Sequence, residues 1–166
     1  PEEIRSRVDV ALNDVGMSEF AQASPSMLSG GQKQRVAVAG VLAMRPKIIV
    51  FDESTAMLDP IGRRDVFSLA RRLNYEEHIT VVWITHFMEE AALADRLMVM
   101  DRGRIALEGS PRDVFAQTER VLALGLDVPR MLKLSNQLRD AGVPLPDGIM
   151  TVNEMAVALC RLKSST

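Results

Sequence analysis

A short glycine-containing stretch, LSGGQKQR at residues 28–35, combines residue types that bind phosphate. Ser29 is followed by Gly30 and Gly31, and an apolar segment that predicts a helix comes next. At a helix start these residues would offer backbone N–H groups and a hydroxyl at the positive end of the helix dipole. Because glycine has no Cβ, a phosphoryl group could approach this backbone closely. The alternative is an ordinary serine-capped helix, since Ser is a common N-cap and Gly is tolerated there.

Two acidic residues and a histidine follow predicted strands further along the chain. Asp52 and Glu53 come directly after an apolar run, and His86 follows a second one. An Asp at such a strand end can hold Mg²⁺ beside a nucleotide, and an adjacent Glu can act as general base toward water. A histidine at the neighbouring strand tip can hydrogen-bond a γ-phosphate. A loop cap, a solvated carboxylate and a satisfied histidine are the alternatives, but the order of these residues along the chain favours phosphate chemistry.

The elements that would position these side chains alternate between helix and strand, which is typical of an α/β fold. Apolar runs predict strands buried on both faces at 47–51 and 79–84, and two later strands form a hairpin around Gly103. Apolar spacing and capping residues predict helices at 1–15, from the glycine stretch to about Arg45, at 59–73, at 88–93, and after Ser110.

The tail, roughly residues 119–166, has a helical character without a strand pattern. Helical spacing appears at 129–141 and 151–162, and Thr151 with Glu154 forms a capping-box pattern. The single cysteine, Cys160, can form no disulfide within the chain and is predicted to be a small buried residue on the last helix.

Composition excludes several classes of protein. Hydrophobic residues make up 47% and charged residues 25% of the 166 residues, as in an ordinary globular domain. The net charge is −2 and aromatic residues are 4%, so nothing indicates a nucleic-acid partner. No apolar run has the length of a membrane span and no signal peptide is visible, so membrane association is expected to go through a partner.

Four segments in order resemble the motifs of ATP-binding-cassette (ABC) ATPases, over about residues 20–115. LSGGQKQR resembles the signature motif, IIVFDE the Walker B segment, STAMLD the D-loop and ITH the H-loop. The longer strings FDESTAMLDPIGRRDV and ITHFMEEA, with the tail, are similar to the cobalt and energy-coupling factor (EcfA/CbiO-type) ATPases of prokaryotic vitamin and metal-ion importers. MLDP and HFMEEA are closer to the first of the two paralogues of such complexes.

The resemblance implies an α/β fold with a partial P-loop NTPase-like ABC ATPase core and a small helical C-terminal appendage. Residues 1–45 would belong to the helical subdomain that carries the signature motif. Residues 46–118 would form the C-terminal part of the RecA-like core, and residues 119–166 the appendage.

The resemblance also implies roles for individual residues. Asp52 would position Mg²⁺, Glu53 would be the general base, and His86 would hold the γ-phosphate and the attacking water. The signature residues Ser29, Gly30, Gly31 and Gln32 would contact the γ-phosphate of ATP held by the opposite subunit. Asp59 would couple the two sites across the dimer.

The family works as an assembly, so the resemblance implies partners. These are a second ATPase subunit, identical or paralogous, a transmembrane coupling subunit and a substrate-binding membrane subunit. The protein would lie peripherally on the cytoplasmic face of a prokaryotic membrane and power import by ATP-driven dimer closure.

One departure from the family pattern is the phosphate loop, G-x-x-x-x-G-K-[ST], which is absent together with any Gly-Lys dipeptide. That loop supplies a backbone cradle and a lysine for the β- and γ-phosphates. The chain is therefore expected to be the C-terminal portion of a subunit and to be inactive alone. A soluble ABC ATPase not coupled to transport, or a non-catalytic fragment that only docks a partner, are the alternatives.

Overall fold

The computed structural model of the chain describes residues 2–56 and 58–164. The predicted helix start at Pro1 and the Met57 position of the D-loop-like segment lie outside the described residues. The chain groups into two compact units, one ending at Ile84 and the other starting at Thr85. The predicted boundaries after residues 45 and 118 stay predictions.

The first unit consists of helices around a pair of parallel strands. Its elements in chain order are α1 (Glu2–Asp14), α2 (Gly30–Leu42), β1 (Ile48–Asp52), α3 (Pro60–Tyr75) and β2 (Thr80–Ile84). The predicted helices and strands of this region are thus confirmed. Parallel strands need a crossover connection, and α3 provides it between β1 and β2. The register places Asp52 opposite Ile84, so both strands end at the same edge.

The strand pair buries one face, whereas the sequence predicted burial of both. Ile49 and Phe51 lie in the core with Val66 of α3. Ile48 and Val50 point the other way and are each 59% exposed. The prediction was wrong because a continuous apolar run shows only that both faces of the strand are apolar. Within the described residues, the packed helices cover one of these faces. β2 likewise exposes part of its apolar side chains, among them Ile84.

The second unit begins with a short helix and contains the predicted hairpin. Its elements are α4 (Met88–Ala91), β3 (Leu97–Asp101), β4 (Arg104–Gly109), α5 (Pro111–Phe115), α6 (Thr118–Ala123), α7 (Arg130–Asp140) and α8 (Val152–Ser164). β3 and β4 pair antiparallel, which confirms the hairpin. Helix α6 was not predicted, because its N-cap residue Gln117 makes no side-chain cap and so leaves no start signal in the sequence.

The helices after the hairpin share a core with it. Val114 and Phe115 of α5 pack in one cluster with Val121 of α6 and Leu132 of α7. A separate cluster joins α8 to the preceding loop through residues that include Met155. Cys160 on α8 is exposed, which corrects the predicted burial: the residue falls on the solvent side of the helix rather than in the stripe that packs.

Glu154 joins the start of α8 to α5. Its carboxylate accepts backbone N–H bonds from Met150 at 2.8 Å and Thr151 at 3.0 Å, which confirms the predicted capping box together with the bond from Glu154 N to Thr151 Oγ1. Arg112 of α5 pairs with the same carboxylate and donates to the Gly148 carbonyl at 2.8 Å. Burial alone would raise the pKa of Glu154, but these N–H bonds and Arg112 outweigh it and lower the pKa below its ordinary value.

Candidate functional site

Helix α2 begins with a reciprocal cap between the serine and the glutamine of the signature stretch. Gln32 N donates to Ser29 Oγ at 3.3 Å, and Ser29 N donates to Gln32 Oε1 at 2.8 Å. This is the capping-box arrangement, in which a short hydroxyl and a residue three positions on satisfy each other's backbone N–H groups. The cap fixes both side chains at the helix start without help from other elements.

The cap also determines which ends of these side chains are used. A backbone N–H can bond only to an acceptor, so the oxygen of the Gln32 amide faces Ser29 N and its NH₂ group is left as donor. The Ser29 oxygen accepts from Gln32 N, which leaves its O–H proton for another partner. The next two N–H groups belong to Gly30 and Gly31, and N–H groups in the first helical turn have no partner within a helix. The turn therefore presents donors, which suits an anion.

Space for such an anion exists beside the two glycines. A Cβ placed at Gly31 would meet no atom within 4 Å, so this side of the turn is open. A Cβ at Gly30 would lie 3.6 Å from Leu58, an ordinary contact distance. The predicted close approach of a phosphoryl group is therefore sterically possible at Gly31 in particular.

A cleft of about 510 Å³ lies in front of this turn and brings two predicted groups of residues together. The signature residues Ser29, Gly30, Gly31 and Gln32 form one part of its wall, and Asp59 with its neighbours Leu58 and Gly62 forms another. The two groups are separated by about thirty residues in the sequence, yet they line one cavity because α2 packs on α3.

Asp59 is fixed as the N-cap of α3. Its Oδ1 accepts from Gly62 N at 2.7 Å, and Pro60 takes the first helical position. A Cβ at residue 62 would come within 2.9 Å of that carboxylate oxygen, so any larger residue would require the Asp59 side chain to shift. Arg63 Nε donates to the Leu58 carbonyl at 3.0 Å and holds the preceding loop.

Asp52 and Glu53 stand at the end of β1, as predicted. Both side chains are exposed. Glu53 has a backbone φ of +44°, a left-handed conformation that is uncommon for a non-glycine residue, while its N–H continues the strand pairing with a 3.0 Å bond to the Ile84 carbonyl. Strained residues of this kind are concentrated at functional sites. The loop beyond them turns tightly through bonds from Ala56 N to Glu53 O and from Leu58 N to Thr55 O.

His86 belongs to the second unit, two residues after β2 ends. Thr85 shapes the turn around it: its Oγ1 donates to Glu90 Oε2 at 2.7 Å and accepts from Phe87 N at 3.0 Å. The exposed imidazole lies against the Phe87 ring, with 4.3 Å between the ring centroids. The turn thus presents the histidine at the start of α4.

The donor set at the strand end fits a hydrated magnesium ion bound chiefly through phosphate. Among residues 2–56 and 58–164 no three His, Cys, Asp or Glu side chains are grouped so that they could hold a metal ion. Mg²⁺ in nucleotide sites is commonly held by one or two carboxylates, substrate phosphates and water. The exposed Asp52 carboxylate matches that requirement without further protein ligands.

Arg35 and Asp65 are among the residues of the cleft wall that sequence reasoning missed. Arg35 is part of the signature stretch, so the sequence indicated that it lies near the site. Nothing in the sequence indicated that Asp65 is its partner. The pair is separated by thirty residues, and nothing local in the sequence indicates that they meet.

Over the part of the chain that the structure covers, no helix is long and apolar enough to cross a membrane.

Comparisons with known proteins match this chain to ATP-binding proteins of ABC transporters. The family profile described as ABC transporter matches residues 3–56. The energy-coupling factor transporter ATP-binding protein EcfA1 of Caldanaerobacter subterraneus subsp. tengcongensis is 56% identical over 161 residues, which are 97% of this chain and 58% of that protein. The protein of the same name from Symbiobacterium thermophilum is 58% identical over 98% of this chain and 56% of its own length.

Solved structures agree with these relatives. The chain matches cbiO1 from Clostridium perfringens, described as part of the ABC transporter complex cbiONQ, with a TM-score of 0.67 and 41% identity over 82% of this chain and 55% of that one. It also matches the dimeric bacterial ABC transporter cassette MJ0796 with a TM-score of 0.57 and 36% identity, over 68% of this chain and 49% of that one. The chain spans a little more than half the length of the curated relatives named above.

Proposed function

The chain belongs to the ABC ATPases, among the ATP-binding proteins of energy-coupling factor transporters, and from this membership we propose that its parent subunit binds and hydrolyses ATP to drive the import of a vitamin or metal ion. The observation that carries the proposal is the cleft in which the capped signature turn and Asp59 meet. Its wall presents hydrogen-bond donors and the positive end of α2, which together favour a phosphate group.

The phosphate that this turn contacts is the γ-phosphate of ATP held mainly by a second subunit. These 166 residues contain the donor turn and do not contain the G-x-x-x-x-G-K-[ST] loop, which supplies the cradle for the β- and γ-phosphates. A solved relative is a dimeric cassette, which supports a site shared by two polypeptides. Ser29 and Gln32 supply the side-chain donors, Gly30 and Gly31 supply backbone N–H groups, and Asp59 couples the two sites.

Hydrolysis is assigned to the strand end. Glu53 takes the proton from the attacking water as that water adds to the γ-phosphorus, and the bond to the leaving β-phosphate oxygen breaks. Mg²⁺, when bound through Asp52 and water, neutralises charge on the phosphates. His86 hydrogen-bonds the γ-phosphate and the attacking water. The turn that Thr85 stabilises holds this histidine in an exposed position, which supports the assignment.

The relatives' names support a place in a membrane transporter, and the individual subunits of the assembly are part of the proposal. The partners are a second ATPase subunit, identical or paralogous, a transmembrane coupling subunit and a membrane subunit that selects the substrate. The protein then acts on the cytoplasmic face of a prokaryotic membrane, and closure and reopening of the ATPase pair do the mechanical work of transport.

The test uses the full-length subunit in its assembled transporter with Mg²⁺-ATP. Glu53→Gln keeps the shape of the side chain but removes the base, so we expect hydrolysis to fall by at least about 100-fold while ATP stays trapped in a closed dimer. Glu76, an exposed acid at the C-terminal end of α3, provides the matched control, and the Glu76→Gln variant should hydrolyse ATP normally. Normal turnover by Glu53→Gln would show that the base is another residue, and an absence of nucleotide binding by the wild-type subunit would favour the non-catalytic alternative.

A further inference from the structure

An ion pair joins the two helices whose N-termini open into the cleft. Arg35 Nη2 of α2 lies 2.6 Å from Asp65 Oδ2 of α3, and both residues line the cleft wall. Each is six residues after the N-cap of its helix, Ser29 in one case and Asp59 in the other. The pair therefore ties the helices together at matching distances from the two caps.

The arginine also lies close to a third element. A Cβ added at Gly16, just after α1, would be 3.8 Å from Arg35 Nη1. Gly16 has a φ of +67° and lines the same cleft. The guanidinium thus sits where the end of α1 approaches the α2–α3 pair, so that its removal would loosen this junction as well as the contact with Asp65.

The exposure of the pair indicates that its main effect is on geometry and not on stability. The Arg35 and Asp65 side chains are 31% and 47% exposed, and ion pairs as accessible as this contribute little to the free energy of unfolding. Their hydrogen bond is nevertheless short and charge-assisted, which fixes the direction of both side chains. The signature donors stand on α2 and the coupling residue Asp59 stands on α3, so their joint action depends strongly on how the two helices are placed.

We propose that Arg35 and Asp65 are positioning residues that hold the signature turn and the Asp59 turn at the separation required for phosphate binding. This inference rests on the proposed function of the cleft. Neither residue needs to touch the nucleotide. When the pair is intact, the donors of α2 and the cap of α3 keep a fixed separation. When it is broken, the two helix starts shift relative to each other while the helices stay packed through their shared core.

The experiment measures ATP hydrolysis by the full-length subunit in its assembled transporter, with thermal unfolding recorded in parallel. Asp65→Asn keeps the side-chain shape but removes the charge, and we expect kcat/KM to fall about tenfold, mostly in kcat, since a displacement of a fraction of an ångström at a reacting geometry has effects of this order. Arg35→Lys keeps the charge but loses the planar fork, so an intermediate fall is expected.

Rescue separates positioning from mere structural damage. The exchanged double variant, Arg35→Asp with Asp65→Arg, should recover a substantial part of kcat, whereas each single exchange should not. Glu3→Gln is the control: it removes the Arg7–Glu3 pair on α1, which is 2.5 Å long, has a more exposed carboxylate and does not line the cleft, and it should leave the kinetics unchanged.

The outcomes distinguish this inference from the function on which it rests. If Asp65→Asn hydrolyses ATP like the wild type, or if all losses follow the unfolding temperature alone, the positioning role is wrong while the ATPase assignment stands. If Asp65→Asn does not fold, Arg35→Lys weakens the pair from the other side, and wild-type kinetics in that variant would contradict the positioning role. If the wild-type subunit shows no turnover that Glu53→Gln removes, the proposed function itself fails.

Discussion

Replacing Gln32 by glutamate separates the two roles of this side chain, which are to cap the helix and to present a donor to the cleft. The amide oxygen accepts the Ser29 N–H at 2.8 Å and so completes the cap, while the NH₂ group is left to face the cleft. A carboxylate can still accept that N–H, and Glu is itself a common third residue of a capping box. Gln32→Glu therefore keeps the helix start and converts the outward donor into a negative charge.

The substitution is expected to maintain or slightly raise the stability and to lower kcat/KM by a larger free energy. A carboxylate in the first turn of α2 interacts favourably with the helix dipole, by about 0.3–1 kcal/mol, so the unfolding temperature should stay level or rise slightly. At the phosphate, a hydrogen bond to a charged group worth about 1.5–3 kcal/mol is lost. Repulsion between like charges about 4 Å apart adds at least about 1 kcal/mol. A total near 3 kcal/mol corresponds to a fall in kcat/KM on the order of 100-fold.

The assay is steady-state ATP hydrolysis by the full-length subunit in its transporter, compared with thermal unfolding of the same samples. Gln32→Met is the matched variant, since it has a similar length but neither accepts nor donates a strong hydrogen bond. It should lose stability, by about 1 kcal/mol for the broken cap, together with activity. Gln32→Glu should lose activity only. Wild-type kinetics in Gln32→Glu would refute the claim that the NH₂ group of Gln32 contacts the phosphate. Marked destabilisation of that variant would refute the claim that its carboxylate still caps the helix.

Three further predictions concern the chain as a whole. The pKa of Glu154 is lowered in the folded protein, so its contribution to stability should be complete above the ordinary pKa and disappear as the pH falls through the lowered one. Unfolding of Glu154→Gln should lack this dependence when the pH is taken below the ordinary pKa. Val66 is fully buried, and Val66→Ala should cost about 2–3 kcal/mol in denaturant unfolding, whereas the exposed Val10→Ala should cost little. The 166-residue chain alone should neither bind Mg²⁺-ATP tightly nor hydrolyse it, because it has no phosphate loop, and turnover that Glu53→Gln abolishes would contradict this.

Local signals explain most of what the sequence predicted correctly. Ser29, Asp59 and Thr151 begin helices because their side chains cap the next N–H groups, and this requirement is visible within four residues of sequence. The strand ends at Asp52 and Ile84 followed from β-branched runs in the same way. The geometric basis of the candidate cleft was also partly predictable, since its two groups of residues stand at helix starts.

What the sequence could not provide was information that depends on distant contacts. The Arg35–Asp65 pair forms only once α2 and α3 have packed, and neither residue departs from an ordinary helical pattern. Glu53, whose backbone is left-handed, donates its N–H to Ile84 across the strand pair, a contact that no local pattern in the sequence indicates. The exposed outer face of β1 was predicted to be buried because periodicity reports how apolar a face is, and not which element covers it.

Two of the positions where local rules give way lie at the candidate site. Glutamine stands at residue 32, where glutamate would serve the helix dipole better, and glutamate stands at residue 53, where the left-handed backbone favours glycine. Both choices cost stability and both become reasonable if a phosphate approaches: an amide at the signature turn attracts it, and a carboxylate at the strand end activates water against it. Arg45, His78 and Arg102 have left-handed backbones as well, so the conformation of Glu53 supports the assignment only together with its place beside Asp52 at the end of β1.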